Sequence, residues 1–269
     1  MPSTRSCLVG ELGMLRTRII PCLLLRNNGF VKTLNFKDAI YLGDSINILR
    51  IFNDKEVDEI FLLDIDATRE NRPPNLSLLY DLASECFMPA AYGGGITNVR
   101  EIQQLFSTGF EKVVLNSAAI SNPSLVAQAA DAFGSQSITV SIDVKKNLWG
   151  RYEVYTHDGL RNTKQDPIKV ALRMEREGAG EILLNSIDRD GTMKGYDITL
   201  TKKVAESLGV PVVCCGGAGT PADLHAAVRE AGVSGVAAGS MFVFQGKYRA
   251  VLINMPNDEE LTQAGLVRG

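Results

Sequence analysis

The sequence predicts an α/β protein built as a single (β/α)8 TIM barrel with a twofold half-barrel internal repeat, and three observations carry that prediction. First, 269 residues exceed the usual domain of ~100–200 residues yet suit one α/β barrel, which runs to ~200–250 residues as a single unit. Second, eight short runs of β-branched and apolar residues, bounded by turn signals, alternate with longer helix-like stretches, the order that βα units of a parallel sheet require. Third, the chain resembles itself at a separation of 122 residues, Glu59 against Glu181 and Pro89 against Pro211. Such repetition speaks to architecture directly.

In chain order the strands are expected at Arg18 to Leu25, Glu59 to Ile65, Met88 to Tyr92, Lys112 to Leu115, Ser137 to Val144, Glu181 to Ile187, Val210 to Cys215 and Gly235 to Gly239. Each is a nearly continuous apolar run, as a strand buried on both faces needs. Their spacing leaves ~30 residues per unit, which accommodates one crossover helix each. Residues 1–15 read as an N-terminal extension, 16–250 as the barrel and 251–269 as a C-terminal tail. The repeat is specific: Glu59-Ile60-Phe61-Leu62-Leu63-Asp64-Ile65-Asp66 matches Glu181-Ile182-Leu183-Leu184-Asn185-Ser186-Ile187-Asp188, and Asn116-Ser117 matches Gly239-Ser240 one residue further on. Two half-barrels imply two equivalent sites on the loop face, and hence a substrate with two similar ends.

Composition narrows the function classes. With 28 basic and 31 acidic residues and a net charge of −3, the chain has no general attraction for nucleic acid or anionic lipid, so any phosphate must be bound locally. No apolar run approaches the ~18–20 residues of a membrane span, and Gly10, Glu11 and Gly13 interrupt any signal-peptide core. The five cysteines are odd in number, lack a C-x-x-C pair and mostly sit among apolar residues, which fits a reducing cytoplasm. His157 and His225 are isolated, without metal-ligand spacing, so neither a metal nor a cofactor is expected. Trp149, beside Gly150 in a polar segment, reads as a loop anchor.

Gly93-Gly94-Gly95-Ile96-Thr97 follows the third strand, and Cys215-Gly216-Gly217-Ala218-Gly219-Thr220 follows the seventh, each leading into a helix. Glycine lets backbone approach an anion, and amides at a helix N-terminus bind phosphate. One glycine pair alone is as well explained by a tight turn. Two copies at symmetric positions, completed by the strand tips Asn116-Ser117 and Gly239-Ser240, point instead to a bisphosphate-like ligand. Carboxylates at strand ends are the second signal, because barrel active sites are built there. Asp143 is the acid/base candidate; Asp188 and Asp190 follow the sixth strand, and Asp64 and Asp66 occupy the matching place after the second. At the opposite strand ends stand Arg18, Glu59, Lys112 and Glu181. Singly such charges face water, whereas two acids and two bases on a closed barrel could form a ring across its bottom, a gate in a polar conduit.

These residues resemble the HisF family, the cyclase subunit of imidazole glycerol phosphate synthase, from Arg16 to Phe244. The resemblance rests on Arg18-Ile19-Ile20-Pro21-Cys22-Leu23, Gly93-Gly94-Gly95-Ile96, Asn116-Ser117-Ala118-Ala119, Tyr155-Thr156-His157, Asp188-Arg189-Asp190-Gly191-Thr192, Tyr196-Asp197 and Gly216-Gly217-Ala218-Gly219. It implies a heterodimer with a HisH-like glutaminase docked at the N-terminal face of the barrel. Ammonia would pass through Arg18, Glu59, Lys112 and Glu181 to a phosphorylated small molecule held at Gly94, Gly95, Asn116, Ser117, Asp188, Gly216, Gly217, Gly239 and Ser240. Asp143 matches the family's strand-five acid, and Lys32 its substrate-loop lysine.

Leu24 departs from that pattern, standing where the cyclases carry a catalytic aspartate on strand one. Loss of a positioned proton-transfer group costs ~10²–10⁴-fold in that step. The segment from Phe242 to Pro256 also lacks the amphipathic final helix expected of the cyclases. Both features resemble the HisF-like paralogues of surface-polysaccharide gene clusters, which with a HisH-like glutaminase supply ammonia to a separate sugar amidotransferase. Three functions are therefore weighed: an ammonia-conducting subunit in sugar amidation for O-antigen biosynthesis, a histidine-pathway cyclase making imidazole glycerol phosphate and AICAR, and a sugar-phosphate isomerase. Leu24 argues against the last two.

Overall fold

In the computed structural model residues 17–266 are described; the expected N-terminal extension and Cys7 lie outside them. The first strand, β1 (Arg18–Arg26), is followed by a hairpin of β2 (Gly29–Leu34) and β3 (Lys37–Asp44), then by helix α1 (Ser45–Asp54). Next come β4 (Ile60–Asp64), α2 (Leu76–Ser84), β5 (Ala90–Gly93), α3 (Val99–Thr108), β6 (Lys112–Leu115), the short α4 (Ser117–Ser121) and α5 (Ser124–Phe133). The second half runs through β7 (Ile138–Lys146), a hairpin of β8 (Tyr152–Thr156) and β9 (Arg161–Asn162), α6 (Pro167–Arg176), β10 (Glu181–Ser186) and α7 (Ile198–Ala205). It continues with β11 (Val212–Cys215), α8 (Pro221–Ala231), β12 (Gly235–Ala238) and the short α9 (Ser240–Val243). A two-residue-per-strand hairpin, β13 (Phe244–Gln245) and β14 (Ala250–Val251), and a last helix, α10 (Asp258–Gln263), complete the described chain.

Eight parallel strands close into a barrel in the order β1, β4, β5, β6, β7, β10, β11, β12, with β12 returning to β1 and β7 pairing β10. All eight coincide with the expected runs to within two residues at either end. The interior is filled by Ile20, Cys22, Phe61, Ala91, Val114, Leu183, Val213, Cys215 and Ala237, a packed apolar cluster at more than one level of the barrel. A larger apolar cluster fills the space between strands and helices. The half-barrel repeat survives in detail: α4 follows the fourth barrel strand as α9 follows the eighth, a short helix at each second strand tip.

The hairpins after the first and fifth barrel strands were not expected. β2 pairs antiparallel with β1 and β3 with β2, while β8 pairs antiparallel with β7 and β9 with β8, so both hairpins extend the sheet above the barrel mouth. At the tip joining β7 to β8, Trp149 is 82% exposed, which corrects its reading as an anchor: nothing packs there to hold the loop. Phe242 to Pro256 forms no long helix; β13 and β14 occupy it. Beyond, α10 is capped by a box between Asn257 and Glu260 and buries Leu261. No helix among the described residues is long and apolar enough to cross a membrane.

Candidate functional site

Both glycine motifs open into one cavity of about 1080 Å³, counting its open mouth, at the C-terminal end of the barrel. Gly94, Gly95, Asn116 and Ser117 line it from the third and fourth barrel strands, and Gly216, Gly217, Gly239 and Ser240 from the seventh and eighth. By strand order the two groups stand half a barrel apart. Only glycine fits these loops. A Cβ on Gly94, at φ +127°, would lie 2.5 Å from the Asp64 carbonyl oxygen, and one on Gly217, at φ +124°, would lie 2.2 Å from that of Gly195.

The amides left for an anion differ from those expected. Asn98 caps α3, and Thr97 N–H donates to Glu101 at 2.7 Å; Thr220 and Asp223 close a capping box on α8. These longer helices satisfy their own N-termini. By contrast α4 and α9, at the two strand tips that line the cavity, carry no side-chain cap on their first-turn amides.

Asp143, on β7, is buried and lines the cavity. Asn116 Nδ2 donates to its Oδ2 at 3.1 Å and Ser141 Oγ to its Oδ1 at 3.4 Å. Burial pushes its carboxyl up to about 7, and the negative charges of Asp158 and Asp190 add to that, against hydrogen bonds from Ser141 and Asn185. A carboxyl half-ionised near neutral pH can both give and take protons. Leu24 lines the same cavity, so strand one brings it a hydrocarbon side chain in place of a second acid.

A carboxyl that the sequence reading passed over enters from elsewhere. Asp158 lines the cavity from the turn between β8 and β9, in a left-handed backbone conformation at φ 57°. Burial raises it to about 6, opposed by Arg69, whose Nη1 lies 3.5 Å away. The motif Thr156-His157-Asp158-Gly159 reads as an ordinary turn, and only long-range packing reveals where it points. The same turn reaches the first glycine site, where His157 N–H donates to Ser117 Oγ at 3.0 Å.

Three arginines that no sequence motif marks stand beside the first glycine site. Arg72 clasps buried Asp64 with two bonds of 2.8 and 2.9 Å, while Asp66 accepts from Arg26 Nε at 2.8 Å and lies 3.5 Å from Arg69. Asp64 and Asp66 thus hold guanidinium groups beside the first glycine site. Lys32, on β2, is buried with its Nζ 2.6 Å from Asp190 Oδ1, and Thr33 Oγ1 donates to the other oxygen at 2.8 Å. The lysine's methylenes cross the strand-eight tip, where a Cβ on Gly239 would fall 2.9 Å from Lys32 Cε. Asp188 is exposed instead, accepts from Lys146 N–H at 2.8 Å and is not among the cavity's lining residues.

At the opposite end, Arg18, Glu59, Lys112 and Glu181 form a closed, charge-alternating ring. Arg18 bonds Glu59 at 2.5 Å and also Glu181; Lys112 lies 2.7 Å from Glu59 and 3.6 Å from Glu181. Thr139 Oγ1 donates to Glu181 at 3.2 Å from the fifth barrel strand. Both glutamates are buried while both cations are partly exposed, so the ring spans the barrel bottom with its positive groups towards solvent. Among the described residues no group of three or more His, Cys, Asp or Glu could hold a metal ion.

Comparison with known proteins identifies the family. A family model described as "Histidine biosynthesis protein" matches residues 18–249. The chain is 52% identical over 248 residues to "Putative imidazole glycerol phosphate synthase subunit hisF2" of Pseudomonas aeruginosa, covering 92% of this chain and 99% of that protein. A Leptospira interrogans protein, "Putative imidazole glycerol phosphate synthase subunit HisF", is 47% identical over 92% of this chain and 98% of its own length. A Vibrio vulnificus protein named as a hisF3 subunit is 46% identical over 93% of this chain and 97% of its own length. With a family match across the barrel and full-length relatives at about half identity, this chain belongs to the HisF family of histidine biosynthesis proteins.

Proposed function

We propose that this chain is the ammonia-receiving barrel of a glutamine amidotransferase pair, working in the cytoplasm with a HisH-like glutaminase docked at its N-terminal face. The ring of Arg18, Glu59, Lys112 and Glu181 carries this reading. Four buried or half-buried charges that satisfy one another across a barrel bottom add little net stability, because desolvation offsets their attraction. A polar gate for a small uncharged molecule gives them a purpose. Ammonia admitted there reaches the cavity where Asp143 and the two glycine sites meet, and the glycine sites hold the phosphoryl groups of a small molecule, with Lys32 as a further contact. The end use is amidation of a sugar in surface-polysaccharide biosynthesis, with a separate sugar amidotransferase as acceptor of the ammonia.

A second reading, the cyclase subunit of imidazole glycerol phosphate synthase, is favoured by the names of the relatives and by Asp143, held between Asn116 and Ser141. Leu24 weighs against it, since the proton transfer assigned to strand one has no group there. Co-expression with a HisH-like glutaminase tests the first reading. A stable complex with glutamine hydrolysis stimulated at least tenfold is expected; absence of both a complex and stimulation would remove the ammonia role.

A further inference from the structure

The hairpin of β13 and β14 lies in the segment where the sequence departs from the cyclases, and it carries Arg249. That residue adopts a left-handed backbone conformation, φ 51°, which a non-glycine residue keeps only where the surrounding packing holds it. The guanidinium stacks 4.6 Å from the ring centre of Phe244. Its Nη1 donates to the Gly191 carbonyl oxygen at 3.1 Å and its Nη2 to Ser240 Oγ at 3.4 Å. Its Nε–H is buried without a partner. Gly191 and Ser240 both line the cavity at the second glycine site.

Two consequences follow from elementary chemistry. Ser240 Oγ accepts from Arg249, so its own hydroxyl proton is free to be given to something else. Among the described residues Arg249 makes no ion pair with a carboxylate, whereas Lys32, the other cation at this end of the cavity, is neutralised by Asp190. An uncompensated guanidinium beside the glycine loop and the uncapped first turn of α9 favours an anion.

Resting on the reading that the glycine sites bind phosphate, we propose that Arg249 is a positioning residue that makes the second site, at Gly217 and Ser240, selective for a doubly charged phosphoryl group. It fixes the Ser240 hydroxyl and the Gly191 loop while its charge remains unneutralised by the protein. The first site, at Gly95 and Ser117, has no counterpart: the arginines beside it, Arg26, Arg69 and Arg72, are all paired with carboxylates. The two ends of the pseudo-symmetric cavity therefore differ in charge.

The test is titration of the full chain with inorganic phosphate, followed through the amide resonances of Gly217 and Ser240 for one site and of Gly95 and Ser117 for the other. Arg249→Gln is expected to weaken phosphate at Gly217 and Ser240 about tenfold, with Gly95 and Ser117 unchanged as the internal control for folding. Arg249→Lys, which keeps the charge, is expected to fall between the parent and Arg249→Gln. The inference is overturned if Arg249→Gln binds as tightly as the parent at Gly217 and Ser240, if both sites weaken together, or if Arg249→Lys is as weak as Arg249→Gln. A parent that binds phosphate at neither site removes the phosphate reading itself, and this inference with it.

Discussion

Asp143 was legible because it lies near the C-terminal end of a barrel strand, where barrel active sites are built, among apolar neighbours such as Ile142 and Val144. Its perturbation was not legible, since burial and Asp158 supply it from 15 residues away in sequence. The folded carboxyl holds its proton up to about pH 7, whereas the unfolded one loses it near pH 4. Between those values the folded state binds more protons, so stability falls as pH rises through the window. Asp143→Asn should therefore flatten that fall and melt higher than the parent at pH 8, by on the order of 2–4 kcal/mol; thermal melts at pH 5 and pH 8 measure both. Asp158→Asn should leave the fold intact and move the Asp143 titration towards acid, as carboxyl carbon shifts would report, because a like charge is removed.

Whole strands were easier to read than what joins them. The barrel strands are continuous apolar runs, but Lys37–Asp44 is mostly exposed and shows no buried alternation, so β3 exists only because β2 pairs with it. Likewise β9 has two exposed residues and is defined by its partner β8. These hairpins carry Lys32 and Asp158 over the cavity, which is why the mouth was harder to foresee than the glycine loops. The loops make their own prediction. Gly94→Ala places a methyl group against Asp64 in a backbone conformation hostile to alanine, and should destabilise by ~2–4 kcal/mol in urea titration. At the ring, Glu59→Ala leaves Arg18 and Lys112 sharing one carboxylate, so a loss of about 3 kcal/mol is expected by the same measurement.

For the molecule as a whole, the half-barrel repeat was visible as sequence and reappears as two glycine sites facing one cavity. The repeat is chemically unequal, however. Strand five brings Asp143 to the cavity while its half-barrel counterpart, strand one, brings Leu24. On the proposed reading, a barrel that keeps its bottom ring and its two glycine loops but has Leu24 on strand one should receive ammonia without closing an imidazole ring at a useful rate. Loss of a positioned proton-transfer group is worth ~3–5 kcal/mol of barrier, a factor of 10²–10⁴. The direct measurement is growth, without histidine, of a strain lacking its own cyclase and expressing this chain with its glutaminase. No growth is expected from the parent, with Leu24→Asp the variant most apt to restore detectable cyclisation; strong growth supported by the unmodified chain would contradict the account.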